Sequence, residues 1–256
     1  MERVGRPLCI MGASGAVSAL GVCSSPKPKV QRGFDVRLYH GSKTGIEGPI
    51  APISRPNCDF GCGFYMYADP DQPRALVCAF PTAHVYTLEA DFSGLRTLDM
   101  GLGLDWAMLI AFNRGKMEGA RDSALYRRCR ETMSSCDVVS GLIANDRMFV
   151  VLDRFFSGEI TDVALFRSLS ALKLGSQYVC LTPEACERVR IVNDEVMAPE
   201  ERERLSDLSV RMRREGIARA DEICRQYRRE GRYFDEILAE RISDEGVLAE
   251  GGDLDA

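Results

Sequence analysis

The stretch "LYHGSKTG" (residues 38–45) decides the fold, because it joins an alternating β-rich run to a glycine-containing turn. The run "FDVRLYH" (34–40) predicts a strand, and the glycine after it predicts where the strand ends. His40, one of two histidines in the chain, is the last residue of this run. A second, aromatic strand is predicted at "GFYMY" (63–67), inside the string "DFGCGFYMYAD" (59–69). The two strands are therefore the first candidates for a common site.

The segments that follow alternate between strand and helix patterns. Strands are predicted at 84–91, 97–100, 136–144, 177–182 and 188–194, and helices at 69–80, 104–113, 146–156 and 161–174. Residues 43–58 and 114–135 are predicted as loops. Short strands rich in aromatic and β-branched residues predict an α+β fold rather than a doubly wound βαβ array.

Composition divides the chain into three zones. Residues 1–33 are predicted as a disordered Gly/Ser/Pro leader, residues 34–198 as the folded domain, and residues 199–256 as a charged helical tail. From Glu200 onward there are eleven arginines and sixteen acidic residues, so the tail has the same net charge, −5, as the whole chain. Gly216 and Gly231 each follow an Arg-Arg-Glu string and predict helix ends. The tail is either a solvated cap of amphipathic helices or a partner-binding arm, and both interpretations stay open.

Charge, cysteines and hydropathy argue against several classes of protein. A net charge of −5 gives no general footprint for nucleic acid. Cys58 and Cys62 lack a second Cys/His pair at ligand spacing, so no metal site is predicted. No apolar run of about 18 residues occurs, so no membrane span is predicted. The ten scattered cysteines favour reduced thiols in a cytoplasmic protein. The mildly apolar residues 8–22 follow two arginines, which leaves a secretory signal, and hence a secreted effector, as the alternative to a plain leader. P-loop, G-x-G-x-x-G, G-x-S-x-G and H-E-x-x-H strings are absent from the sequence.

Three strings in a fixed order carry a resemblance to a known superfamily. His40-Gly41-Ser42 closes the first strand, Asp59 to Tyr65 opens the second, and "SQYVCLT" begins a later strand with Gln177. Together with "CDVVSGLIANDR" (136–147), they resemble the ADP-ribosyltransferase superfamily of the His-Tyr-Glu class, which includes diphtheria-type toxins and poly(ADP-ribose) polymerases. Within it they resemble a bacterial family of domains of unknown function that has Gln in place of the catalytic Glu. The resemblance implies a split β-sheet core with flanking helices, to which the tail adds C-terminal amphipathic helices.

The resemblance also implies NAD as substrate and a role for each matching residue. His40 would hydrogen-bond a ribose hydroxyl, the backbone of Gly41 would pair with the carboxamide, and Tyr65 would stack on the nicotinamide. Arg74 has two equal interpretations, a phosphate contact or a helix-surface charge. The residues expected to bind NAD are His40, Gly41, Ser42, Gly63, Phe64, Tyr65 and Arg74, and those expected to be catalytic are His40, Tyr65 and Gln177.

Gln177 stands where active members of the superfamily have glutamate. A glutamine can position the ribose by hydrogen bonds but lacks the charge that offsets an oxocarbenium-like sugar. Glu184 and Asp146 are two candidates for supplying that charge. The expected function is mono-ADP-ribosylation of a protein, nucleic acid or small molecule by a toxin or defence effector, with a small inhibitor or antitoxin protein as partner. The alternatives are a catalytically weak or inactive module that binds NAD or ADP-ribose, and a related reaction such as NAD hydrolysis or removal of a 2′-phosphate from RNA.

Overall fold

The computed structural model describes residues 29–30, 35–143, 146–172 and 175–250. Most of the predicted leader, residues 1–33, lies outside the described residues. The strands are β1 (Lys29–Val30), β2 (Asp35–Ser42), β3 (Phe64–Tyr67), β4 (His84–Asp91), β5 (Arg96–Met100), β6 (Val138–Leu142), β7 (Ser176–Cys180) and β8 (Val189–Val196). The helices are α1 (Asp71–Val77), α2 (Leu104–Asn113), α3 (Ala124–Ser134), α4 (Asp146–Phe156), α5 (Asp162–Ala171), α6 (Pro183–Glu187), α7 (Pro199–Gln226) and α8 (Phe234–Glu250). Each strand and helix predicted between residues 34 and 198 is present, with shifted bounds in several cases.

The described strands form one mixed sheet in the order β1-β5-β6-β7-β3-β2-β4-β8. Strands β5 and β6 run parallel, and the other neighbouring pairs are antiparallel. Helices flank the sheet rather than alternate with parallel strands. The α+β architecture predicted from the sequence is therefore confirmed.

The sheet is barely continuous between β2 and β3. In the described part of the chain, Tyr39 and Tyr67 are the one residue pair that joins these two strands. By contrast, β2 pairs with β4 along its whole length from Asp35 to Ser42, and β3 pairs with β7 from Phe64 to Tyr67. Beyond Tyr39 the two strands separate and form a fork. The fork divides the sheet into a wing of β2, β4 and β8 and a wing of the remaining strands.

Separate hydrophobic cores cover the two faces of the sheet. One face packs against α2, whose Trp106 is buried, and against α4 and α5. The other face buries Leu38, Met66 and Leu88 together with α6. Because successive strand residues point to opposite faces, Phe64 joins this second core while its neighbour Tyr65 lies against the first.

The tail contributes to the first core. Ala220 and Cys224 of α7 and Phe234 and Ile237 of α8 are buried in it. The predicted helix end at Gly216 is wrong, because α7 continues through this residue to Gln226. One glycine costs a helix only about 1 kcal/mol, and packing of α7 against α4 and α5 offsets that cost.

The predicted loop 114–135 is also partly wrong, because its second half is helix α3. The hydroxyl of Ser123 caps the helix by accepting a hydrogen bond from the Tyr126 N–H at 3.1 Å. Leu125 and Cys129, four residues apart and thus on one helix face, are buried. Four charged residues between Arg127 and Glu131 concealed this short apolar stripe in the sequence.

Candidate functional site

A cavity of about 670 Å³ lies beside the fork. Its described lining residues are Arg55, Pro56, Asn57, Cys58, Asp59, Tyr65, Tyr67, Leu76, Arg114, Ile143, Phe149 and Gln177. The strand register explains why three of them converge. Tyr65 and Tyr67 are two residues apart on β3, and Gln177 of β7 pairs directly with Tyr67. All three side chains therefore share one face of the sheet.

His40 lies at the fork, where its side chain, rather than its backbone, bonds to the backbone of β3. Its Nδ1 is 2.7 Å from the carbonyl oxygen of Tyr65, and its ring stacks on Phe64 with 4.4 Å between centroids. Burial lowers the pKa of His40 below its usual 6.5, although the hydrogen bond to Tyr65 acts in the opposite direction. The ring is therefore neutral near pH 7. Because a carbonyl can only accept, Nδ1 donates, and Nε2 is left as the accepting nitrogen.

The side chain of Tyr65 is fixed by the turn that precedes its own strand. Its hydroxyl accepts from the Phe60 N–H at 3.0 Å and donates to the Gly61 carbonyl at 2.9 Å. Gly61 has φ 74°, a left-handed conformation that favours glycine. Burial raises the pKa of Tyr65 well above its ordinary value, so the hydroxyl remains protonated. The string from Phe60 to Tyr65 is thus a closed turn that holds the tyrosine ring against the cavity.

Gln177 belongs to a buried polar cluster. Only 2% of Gln177 and 7% of Asp59 are exposed. The Gln177 amide donates from Nε2 to Asp59 Oδ2 at 3.0 Å and to the Leu142 carbonyl at 3.3 Å. Arg114 donates to the other carboxylate oxygen, Asp59 Oδ1, from Nε at 3.1 Å and also from its terminal Nη2. Gln177 therefore holds, by a hydrogen bond, the carboxylate of Asp59, which comes from a different segment of the chain.

His40 and five further predicted site residues lie outside the described lining of this cavity. The Ser42 hydroxyl donates to the Gly45 carbonyl at 2.7 Å, and Phe64 is buried in the core of the opposite face. Gly41 lies under α1, where an added Cβ would be 2.9 Å from both the Pro73 carbonyl oxygen and Val77 Cγ1. Arg74 donates to Glu195 at 2.6 Å and to Glu201 at 2.8 Å. Its guanidinium thus links α1 to β8 and α7.

The fifth, Gly63, contributes through the space that it leaves. A Cβ at this position would lie 2.5 Å from Val179 Cγ1 and 2.8 Å from the Cys180 carbonyl oxygen. The absence of a side chain therefore allows β3 to begin in close contact with β7.

Residues 36–191 match the protein family described as "Protein of unknown function (DUF3990)". The chain belongs to this family. Among solved structures, it is similar to a chain in the "Crystal structure of the M.tuberculosis MbcT-MbcA toxin-antitoxin complex", with 7% identity, a TM-score of 0.35, and coverage of 68% of this chain and 90% of that one. That likeness is too distant to support a functional conclusion. No curated protein matches the chain.

Sequence reasoning missed several cavity residues of this DUF3990 chain. Tyr67 could have been found, because it follows Tyr65 by two positions and must share its face. Arg114 follows α2 and Phe149 lies on α4, so neither has a local signal that connects it to the fork. The Arg114 guanidinium carbon lies 4.5 Å from the centroid of the Phe149 ring. Asp59 was recognised only as the first residue of its string, without a role.

Glu184 and Asp146, the two candidates for supplying the missing negative charge, are not among the described residues that line the cavity. Glu184 is exposed on α6, which follows the end of β7, whereas Gln177 lies near the beginning of that strand. Asp146 begins α4, and its side chain is outside the described residues. Within the part of the chain that the structure describes, no group of three His, Cys, Asp or Glu side chains could hold a metal ion. None of the helices in that part is long and apolar enough to cross a membrane.

Proposed function

We propose that this protein is an NAD-dependent mono-ADP-ribosyltransferase, which transfers one ADP-ribose to an acceptor and releases nicotinamide. The observation that carries the proposal is the convergence of Tyr65, Tyr67 and Gln177 on one cavity at the fork, with His40 hydrogen-bonded to Tyr65 at 2.7 Å. His40, Tyr65 and Gln177 come from the three strings that resemble the ADP-ribosyltransferase superfamily. The cavity volume of about 670 Å³ falls within the range of about 300–1,000 Å³ that is typical of small-molecule sites.

The fork supports the split-sheet fold that the resemblance implies. Two wings of one sheet separate beyond Tyr39 and Tyr67, and the hydrogen bond from His40 to the Tyr65 carbonyl connects them. A neutral His40 with an accepting Nε2 suits a hydrogen bond from a ribose hydroxyl. A charged imidazolium would instead oppose the positive charge that develops on the sugar as the glycosidic bond breaks.

The aromatic walls suit the nicotinamide end of NAD. The hydroxyl of Tyr65 is already satisfied within its turn, so the ring is held in place before a substrate binds. Stacking on such a ring contributes about 0.5–1.5 kcal/mol beyond area burial. Phe149 and Arg114 add a second aromatic surface and a cation to the same cavity. We infer that this second surface takes the remainder of the dinucleotide.

The test is release of labelled nicotinamide from NAD by the full chain, in the presence of cell lysate as a source of acceptors. His40→Asn and Tyr65→Ala should each lower the rate at least about tenfold, the minimum expected when a positioning contact of the transition state is lost. His84→Asn is the control, because the His84 ring is hydrogen-bonded to Asp194 of β8 rather than to β3, and this variant should keep the parental rate.

Other outcomes of the same experiment separate the competing functions. NAD binding in calorimetry without nicotinamide release would instead identify a non-catalytic module. Release with water as the only acceptor would identify NAD hydrolysis. When the label is placed in the adenosine part of NAD instead, the labelled product in the lysate names the acceptor. The antitoxin-type partner stays a prediction until a bound protein is isolated.

A further inference from the structure

We propose that Asp59 is the catalytic carboxylate of this site and that Gln177 is the residue that positions it. The inference rests on the proposed function and deepens it. It addresses the missing negative charge at Gln177, where a glutamate would otherwise stand. The charge would then come from the loop before β3 rather than from β7.

Placement is the first support. Among the described residues that line the cavity, Asp59 is the one acidic side chain. Its Oδ2 accepts from Gln177 Nε2 at 3.0 Å. The carboxylate therefore lies within one hydrogen bond of the position that the resemblance assigns to catalysis.

Orientation is the second support. Both carboxylate oxygens of Asp59 are bound, Oδ1 by Arg114 and Oδ2 by Gln177. Its backbone carbonyl accepts from Asn113 Nδ2 at 3.1 Å, which anchors the main chain as well. A group fixed in this way does not have to reorganise when charge develops nearby, and such preorganisation is commonly the largest catalytic contribution.

The charge of Asp59 also acts on the cavity. Burial raises the pKa of Tyr67 above its ordinary value, and the negative charge of Asp59 raises it further. The pKa of Tyr65 is raised mainly by burial, and the charges of Cys58 and Asp59 add to that effect. Arg114 donates to the opposite carboxylate oxygen, Oδ1. A positive charge that forms on a substrate in this cavity would be stabilised by the same negative charge that disfavours tyrosinate.

The step balances without a further reagent. The bond between the ribose C1′ and the nicotinamide nitrogen breaks, and its electron pair stays with the nitrogen, so that the pyridinium becomes neutral nicotinamide. The oxocarbenium-like sugar is stabilised electrostatically by Asp59. An acceptor bearing O–H or N–H, water included, forms the new bond to C1′, and its proton passes to the solvent. Asp59 forms no covalent bond.

A charge swap tests the assignment. In Asp59→Asn, the amide oxygen can still accept from Arg114, but the carboxylate is lost. In the double variant Asp59→Asn, Gln177→Glu, the asparagine amide can donate to the new glutamate, so the hydrogen bond at 3.0 Å is kept with its direction reversed. The double variant therefore returns one negative charge to the cluster at the neighbouring position.

We expect Asp59→Asn to lower kcat for nicotinamide release by about 10²–10³-fold with KM for NAD changed only a few-fold, the size seen when one electrostatic contact of a transition state is removed. The double variant should recover at least about tenfold of that loss. Thermal unfolding of both variants, measured alongside, shows that the loss is not a loss of fold. If Asp59→Asn unfolds, the double variant alone decides, since its retained activity supports the assignment and its inactivity in a folded, NAD-binding state overturns it.

The failures are distinguishable. A parent chain that releases no nicotinamide overturns the proposed function and this assignment with it. Parental kcat in Asp59→Asn overturns the assignment alone, as does a folded double variant that is no faster than the single one. A KM effect with unchanged kcat would show that Asp59 only helps to bind NAD.

Discussion

The protonation of His40 offers a quantitative test of the fork. The ring packs on Phe64 and its Nδ1 donates to the Tyr65 carbonyl at 2.7 Å. Burial lowers its pKa in the folded chain, whereas the unfolded chain titrates near the ordinary value of 6.5. The perturbation is a decrease in pH below 6.5. As the pH falls, His40 is protonated first in the unfolded chain and only at a lower pH in the folded chain.

The sign and size follow from proton linkage. Within that interval the unfolded state binds more protons, so the free energy of unfolding falls as the pH falls, by at most about 1.4 kcal/mol per pH unit. Above the unfolded pKa this contribution is constant. Hydrogen bonds from Arg96 lower the pKa of Asp137 from 3.8. The stability lost when Asp137 is protonated is therefore lost at a lower pH than the stability lost through His40.

Two measurements suffice because the chain has only two histidines. An NMR titration of the imidazole signals, with His84→Asn to assign the remaining one, should place His40 below 6.5. Urea unfolding across the same interval should show the pH dependence in the parent and in His84→Asn. His40→Asn keeps a donor for the Tyr65 carbonyl but does not titrate, so its unfolding free energy should lose most of that slope.

His40→Asn should also be less stable at neutral pH, by about 0.5–1.5 kcal/mol for the lost stacking on Phe64. A His40 signal that titrates at or above 6.5 would refute the burial of the ring. An unchanged slope in His40→Asn would show that another group causes the pH dependence.

Two further substitutions test the packing around the site. Gly63→Ala should destabilise the chain by about 1–3 kcal/mol in urea unfolding, because the added Cβ would lie 2.5 Å from Val179 Cγ1. Gly101→Ala is the control and should be nearly neutral, because no atom lies within 4 Å of its added Cβ. Equal effects of the two substitutions would contradict the close approach of β3 to β7. Phe234→Ala should cost about 3–5 kcal/mol, because the ring is 2% exposed and packs on two phenylalanines of α4. The neighbouring Tyr233→Ala, at 39% exposure, should cost far less, and similar losses would mean that α8 is not part of the core.

Strands and most helices could be predicted because their patterns are local. The alternation in "FDVRLYH" and the aromatic string after Gly63 are complete within a few residues. Helix α3 was missed because its buried stripe consists of Leu125 and Cys129 alone, among charged residues. The end predicted at Gly216 was wrong because a glycine signal is weaker than tertiary packing along a long helix.

The candidate site was only half predictable, for a similar reason. Tyr65 and Gln177 could be located by their strings, and the register that puts them on one face follows from strand alternation. Asp59 and Arg114 are 55 residues apart in sequence, and Asp59 and Gln177 are 118 apart. Pairings over such distances leave no pattern in a single sequence. The pairings of Asp59 with Arg114 and Gln177, which determine the charge of the cavity, therefore could not be predicted from the sequence.

The glycines of the two opening strings show what those strings specify. Gly41 allows α1 to lie on β2, since a Cβ would be 2.9 Å from the Pro73 carbonyl oxygen, and Gly63 allows β3 to approach β7. His40 joins the two strands where their ladder ends. The His-Gly and Gly-Phe-Tyr strings are thus explained by the geometry that the fork requires, independently of the ligand that it binds. A chain could keep both strings and have a different electrostatic field in the cavity, because the field depends on Asp59, Arg114 and residue 177 rather than on the strings. If the proposed function holds, activity of this chain should therefore depend on the charge of that cluster more than on His40.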